Sequence, residues 1–114
     1  MNRGEVWLVN LNPTIGREIS KTRPAVIVNN DIVGVLPLKV IVPITDWKNR
    51  YANRPWMIQL EPNDSNGLIK ISAVDTFQVR SLSQTRLVKR LGKLDDSKMN
   101  VITAALAIVL KINN

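Results

Sequence analysis

Apolar runs in this chain are short, and proline, glycine or asparagine ends most of them; a single segment near the C-terminus repeats at helical spacing. Residues 5–11 carry strong β-formers and stop at Asn12-Pro13, and residues 24–28 stop at Asn29-Asn30-Asp31. Residues 38–45, 56–60, 73–79 and 85–92 read as further strands, with residues 68–72 a short extended piece and 81–83 a turn. The segment 32–37 reads as a turn or short irregular arm, and residues 61–67 form a dense run of turn-formers. Asp95 then stands as a helix cap, and Met99, Ile102, Leu106 and Val109 predict one helix over about residues 96–111. Six or seven short strands and one helix describe a mainly β chain: a small closed or half-closed antiparallel barrel carrying a C-terminal helix.

Three details refine that expectation. Pro43 lies inside a strand-like run and lacks a ladder donor, so it requires an edge or a bulge. Alternation over 73–79 puts Asp75, Phe77 and Val79 on one face. The helix is apolar well beyond one stripe, through Ala104, Ala105, Ile108 and Leu110, which predicts packing on more than one side or sharing with a second subunit in a homodimer.

At 114 residues the chain is expected to be one domain, 1–114, and 45% hydrophobic residues suffice for a core. Cysteine and histidine are both absent, which excludes disulfides, thiolate metal sites and histidine acid-base chemistry. The acids are scattered singly apart from the capping pair Asp95-Asp96, so neither a two-metal site nor a carboxylate-pair glycosidase is expected, and no metal or other cofactor is called for. No signal-like apolar core stands near residue 1, and residues 101–110 are too few to span a bilayer; a soluble protein in a reducing cytoplasm is the expectation. Sixteen lysines and arginines against nine acids give +7, a bias toward polyanionic partners.

Two basic clusters fit that bias. Arg17, Glu18, Lys21 and Arg23 share the segment between the first two strands. Arg23 precedes a proline, which holds it in extended backbone where the loop enters the sheet, so its rigid fork of donors has a fixed launch point for a phosphate. In such a site the easiest reaction is cleavage of RNA by its own 2'-hydroxyl, already tethered beside the phosphorus. Glu18 is the nearest candidate base, although salt partners would equally make it structural. Lys48, Arg50, Tyr51, Arg54 and Trp56, with Trp47 beside them, form a second cluster in what reads as a long flexible loop over 46–56; cations interleaved with aromatics suit single-stranded nucleic acid. A noncatalytic nucleic-acid-binding module would share all of these features, and so would an inactive protein that sequesters an acidic partner.

The blocks Gly4-Glu5-Val6-Trp7, Gly16-Arg17-Glu18-Ile19, Lys21-Thr22-Arg23-Pro24-Ala25-Val26 and Val42-Pro43-Ile44-Thr45 resemble the MazF/PemK family of toxin endoribonucleases. The likeness continues through Ser72-Ala73-Val74-Asp75 with Gln78, Arg86-Leu87 and Leu91-Gly92-Lys93-Leu94. The resemblance implies a small SH3-like barrel that forms a homodimer, cuts single-stranded RNA sequence-selectively without a metal, and is restrained by a cognate acidic antitoxin. It further implies that Arg23 is the catalytic arginine and Thr45 its hydroxyl partner, that Glu18 occupies the family's acidic position, and that Ser72 and Gln78 belong to a block that helps shape the RNA site. Where some members carry histidine beside the arginine, this chain has Thr22.

Overall fold

The computed structural model describes residues 1–33 and 36–113; Gly34 and Val35, within the segment read as a turn or arm, lie outside the described residues. Among the described residues seven strands precede one helix: β1 Glu5–Asn10, β2 Thr22–Ile27, β3 Leu38–Asp46, β4 Met57–Leu60, β5 Ser72–Asp75, β6 Arg80–Ser83, β7 Leu87–Lys93 and α1 Asp96–Leu110. All pairings are antiparallel in the order β4-β5-β3-β2-β1-β7, with β6 also on β3.

β3 is the hub, and Pro43 marks the place where it changes neighbours. One edge pairs with β2 from Ile41 to Pro43; the other pairs with β6 over Leu38 to Ile41 and with β5 over Ile44 to Asp46. Val28 N–H donates to the Val40 carbonyl at 2.9 Å, so alternation along β3 turns the Pro43 nitrogen away from β2 and toward the gap between β6 and β5. The missing donor falls where no ladder needs one.

Both faces of this sheet are covered. Val26, Val42, Ile44 and Val74 pack with Val6, Leu60 and the α1 residues Met99 and Ile102, whereas Ala25, Ile27 and Ile41 pack with Val9, Leu11, Leu82 and Leu87. Each of the larger fully buried aliphatic side chains contributes about 1.5–3 kcal/mol.

The pairing does not close into a full barrel, but the turn-rich run after β4 crosses to β7. Lys93 N–H donates to Ser65 O at 2.8 Å, and two glycines make the approach possible. A Cβ on Gly67, whose φ is +71°, would lie 2.1 Å from Leu91 O; one on Gly92 would lie 2.3 Å from Ser65 O. Buried Asn66 holds the crossing together, accepting from Leu68 N–H at 3.0 Å and donating to Glu61 O at 2.9 Å.

Asp95 caps α1 by accepting from Lys98 N–H at 2.8 Å, and Lys111 ends it in the left-handed conformation. The helix buries Met99, Ile102 and Ala105, leaving Val101, Ile108 and Leu110 exposed.

Three sequence expectations are corrected. Residues 81–83 are not a turn but belong to β6, fixed by pairing with β3 and by buried Leu82. β2 begins at Thr22 rather than Pro24, extended by its pairing with β1. The strand expected over 73–79 stops at Asp75, because the Asp75 carboxylate accepts from Phe77 N–H at 3.1 Å and starts a 3₁₀ turn, Thr76–Gln78. Asp75 and Phe77 consequently part company, one buried and the other exposed.

Candidate active site

Arg23 pairs with Val9 of β1 inside the sheet. The β2–β3 pairing ends at Ala25 against Pro43, and Arg23 and Thr45 each lie two residues beyond that last pair. Across the other edge of β3, Thr45 pairs with Ala73 and Asp46 with Ser72. Arg23, Thr45, Asp46, Lys70 and Ser72 thus line one cavity of about 340 Å³.

Among the described residues Arg23 has no carboxylate at ion-pair distance; its Nε donates only a long bond, 3.4 Å, to Ser20 O. The neighbouring acid, Asp46, is engaged elsewhere, with Lys70 Nζ 3.0 Å from Oδ1. That hydrogen bond lowers the Asp46 pKa, burial opposes it, and the charges of Lys70, Arg23 and Lys48 lower it further. Ser72 is buried, and its hydroxyl donates to Lys70 O at 2.8 Å, so it braces the segment that carries Lys70.

Glu18 and Arg17 line a second cavity of about 540 Å³, with Ile15, Pro43, Phe77, Gln78 and Arg80. Pro43 is two residues from Thr45, which makes the cavities neighbours along β3. Glu18 Oε1 accepts from Ile15 N–H at 2.7 Å and so folds the loop on itself. The loop's neck is tied by Leu11 N–H to Lys21 O at 2.9 Å and by Lys21 N–H to Asn12 Oδ1 at 3.0 Å, with Lys21 at φ 69°. The Gln78 amide makes three bonds: Oε1 accepts from Ile19 N–H at 2.6 Å, while Nε2 donates to Asp75 Oδ2 at 3.3 Å and Arg17 O at 3.4 Å. Burial pushes the Asp75 carboxyl above the ordinary aspartate value, although bonds from Phe77 N–H and Gln78 and the charge of Arg54 pull the other way.

The segment over 46–56, read as a long flexible loop, contains a 3₁₀ turn, Asn49–Asn53, folded around Tyr51. Tyr51 is 7% exposed; Trp47 meets its ring edge-on at 5.8 Å, and the Arg50 and Arg54 guanidiniums each lie 5.4 Å from its centroid. Arg54 also sits 5.9 Å from Trp56, which in turn tilts against Phe77 at 6.0 Å. Each such cation–π contact is worth about 0.5–1 kcal/mol at an exposed site. Lys48 immediately precedes the turn in extended backbone.

The structure therefore brings together Arg23, Thr45 and Ser72, gathers Arg17, Glu18 and Gln78 next door, and sets Arg50 and Arg54 over the Tyr51 ring with Lys48 just ahead of the turn. Sequence reasoning missed Asp46, Lys70 and Phe77 at these sites, whereas Asp75 stood in the Ser72, Asp75 and Gln78 block that the resemblance had placed there. The β5 register that sets Asp46 against Ser72 had no sequence signal, but an aspartate two residues ahead of an N–H it could capture was a legible cue for the turn at Phe77.

Known proteins share this chain's sequence pattern and its fold. A model of the PemK-like, MazF-like toxin of type II toxin-antitoxin systems matches residues 2–110. The chain is 36% identical over 115 residues to a Staphylococcus epidermidis protein named Endoribonuclease MazF, covering 100% of this chain and 94% of that one. MazF from Deinococcus radiodurans superposes with a TM-score of 0.80 at 21% identity, covering 98% of this chain and 97% of its own. A mycobacterial endoribonuclease solved in complex with its cognate antitoxin gives 0.79 at 23% identity, covering 100% and 98%. These two structures share the fold. With the family model and the staphylococcal relative both spanning nearly the whole length, the chain belongs to the PemK-like, MazF-like toxin family of type II toxin-antitoxin systems.

Proposed function

We propose that this chain is a toxin endoribonuclease that cuts single-stranded RNA by attack of the substrate's own 2'-hydroxyl. The observation that carries the reading is that Arg23 and Thr45 line one cavity, with the arginine's guanidinium not committed to a carboxylate among the described residues. Family membership and the name of the staphylococcal relative support the same reaction class.

In this scheme Arg23 holds the non-bridging oxygens of the scissile phosphate, and Thr45 hydrogen-bonds the same group and fixes its orientation. The 2'-hydroxyl gives its proton to solvent as its oxygen attacks phosphorus, negative charge builds on the phosphoryl oxygens, and the guanidinium stabilises it. The bond from phosphorus to the 5'-oxygen breaks and that oxygen takes a proton from solvent, leaving a 2',3'-cyclic phosphate and a 5'-hydroxyl. The nucleophile belongs to the substrate and the charge is met by arginine, so the scheme invokes no metal. Glu18 enters as a residue that shapes the loop, since its carboxylate accepts from Ile15 N–H in the adjacent cavity. Arg17, Lys21, Lys48, Arg50, Arg54 and Lys70 supply the basic surroundings that draw in the RNA backbone.

The same reading covers the partners. The 1–114 domain works in the cytoplasm as a homodimer whose contact includes the exposed α1 residues Val101, Ile108 and Leu110. A cognate antitoxin with an acidic segment competes with RNA for the basic surface; the mycobacterial endoribonuclease was solved in complex with its own cognate antitoxin. No helix among the described residues is long and apolar enough to cross a membrane.

The deciding experiment incubates purified protein with a long single-stranded RNA in EDTA, wild type beside Arg23→Ala. Discrete fragments with cyclic-phosphate ends from wild type alone are expected. Intact RNA with salt-sensitive binding would identify a noncatalytic module instead.

A further inference from the structure

We propose that Phe77 is a stacking platform for one unpaired base of the RNA, seated in the 540 Å³ cavity beside the scissile-phosphate site. The inference rests on the single-stranded RNA reading above and adds where a neighbouring nucleotide goes.

The chain has five aromatic rings, three Trp, one Tyr and one Phe, and four of them have other engagements. Tyr51 is buried beneath two guanidiniums, Trp47 meets Tyr51 edge-on, Trp56 lies beside Arg54, and Trp7 Nε1 donates to Glu5 Oε1 at 2.8 Å. Phe77 is 66% exposed. Its exposure is built in: Thr76 is wholly buried, with its hydroxyl donating to Trp56 O at 2.6 Å, and the Asp75 carboxylate holds Phe77 N–H. The turn thus fixes the backbone on both sides of the ring, and Trp56 supports it at 6.0 Å. A fixed, exposed phenyl at a cavity rim costs little entropy when it stacks.

The rest of the cavity suits a nucleotide. Ile15 and Ile19 offer apolar surface, and Arg17 and Arg80 offer cations for the flanking phosphates. Pro43, in the wall, is two residues from Thr45, about 7 Å along an extended strand, within reach of an adjacent nucleotide. Gln78 Nε2 donates to Asp75 Oδ2 and Arg17 O and its Oε1 accepts from Ile19 N–H, which leaves one Oε1 lone pair. Stacking at Phe77 should itself strengthen binding with little preference among bases, because every base has a π-face.

The test uses short single-stranded RNAs made uncleavable by 2'-O-methylation and carrying 2-aminopurine at successive positions, titrated against wild type, Phe77→Ala, Phe77→Leu and Phe77→Tyr. Wild type and Phe77→Tyr should quench the probe at one position and bind alike, while the alanine and leucine variants should lose the quench and bind about tenfold more weakly, with thermal unfolding unchanged. Unchanged binding in Phe77→Ala, or full retention in Phe77→Leu, overturns the proposal. An acidic peptide that loses affinity in Phe77→Ala while the RNA does not would overturn it as well, and would assign the platform to peptide. A parallel assay on cleavable RNA separates the two readings: cutting by wild type without Phe77-dependent stacking sinks only this inference, and stacking without cutting sinks only the nuclease.

Discussion

Ile19 N–H donates to Gln78 Oε1 at 2.6 Å, joining residues 59 positions apart in the chain. Gln78 is itself held by Asp75 below the 3₁₀ turn, so the loop bearing Arg17 and Glu18 is fastened to β5 through one amide group. Gln78 acts on the loop, and Gln78→Ala should release it. About 1 kcal/mol of stability should be lost, faster hydrogen exchange should appear at the Ile19 amide, and RNA cleavage should fall mainly through KM. A drop confined to kcat with Ile19 exchange unchanged would refute the clamp.

Arg23→Lys should be nearly as damaging as Arg23→Ala, because a point charge cannot reproduce two parallel donors. Loss of one preorganised donor lowers turnover by about 10²–10³-fold. Thr45→Ala should lose turnover more than affinity, and Thr45→Ser should recover most of it. Single-turnover cleavage with separate binding measurements checks both; full activity in Thr45→Ala would mean that another hydroxyl serves.

The two crossing glycines should be the most sensitive small residues in the fold. Gly67→Ala combines a left-handed backbone with a Cβ 2.1 Å from Leu91 O, and Gly92→Ala drives a methyl against Ser65 O at 2.3 Å. Each should cost about 3 kcal/mol or more in urea unfolding, in the range of severe overpacking. Gly16→Ala is the control: its φ is +60° but nothing lies within 4 Å of the added Cβ, so about 1 kcal/mol of backbone strain is all that is expected.

Acid titration should move two aspartates in opposite directions. The Asp75 pKa is raised, first by burial, so its contribution to stability is present below the unfolded-state value and is lost as pH rises through the folded one. Urea midpoints for Asp75→Asn should therefore improve relative to wild type between acid and neutral pH. Asp46, lowered first by its bond from Lys70, contributes above the unfolded value and loses that contribution as pH falls. The Asp46 pair is solvent-exposed, so its effect should be small and should fade in high salt. A pH-independent difference for Asp75→Asn would contradict the buried-carboxylate assignment.

What could be read from the sequence was what local chemistry determines. Arg23 beside a proline, Pro43 demanding an edge or a bulge, and Asp95 ahead of a helical repeat each carry their constraint within a few residues; Arg23 and Asp95 stand where theirs requires, and that of Pro43 is met by the gap between the β6 and β5 ladders. Long-range pairing was illegible. Nothing in Arg80–Ser83 announces a strand until β3 lies beside it, and nothing in residues 46–56 says that Tyr51 turns inward under its own arginines. Glu18 and Arg23 are close in sequence, yet they line adjacent cavities, because the loop folds back through Ile15 and Gln78 between them.

The change of neighbours at Pro43 also divides the molecule mechanically. The ladder that anchors Ile41 to Arg80 and the ladder that carries Thr45 beside Ala73 are separate zippers on one strand. Fraying at the Thr45 end meets a break before it reaches the other, so the mouth of the cavity can breathe, exchange its contents and accumulate substitutions while the body of the sheet stays shut.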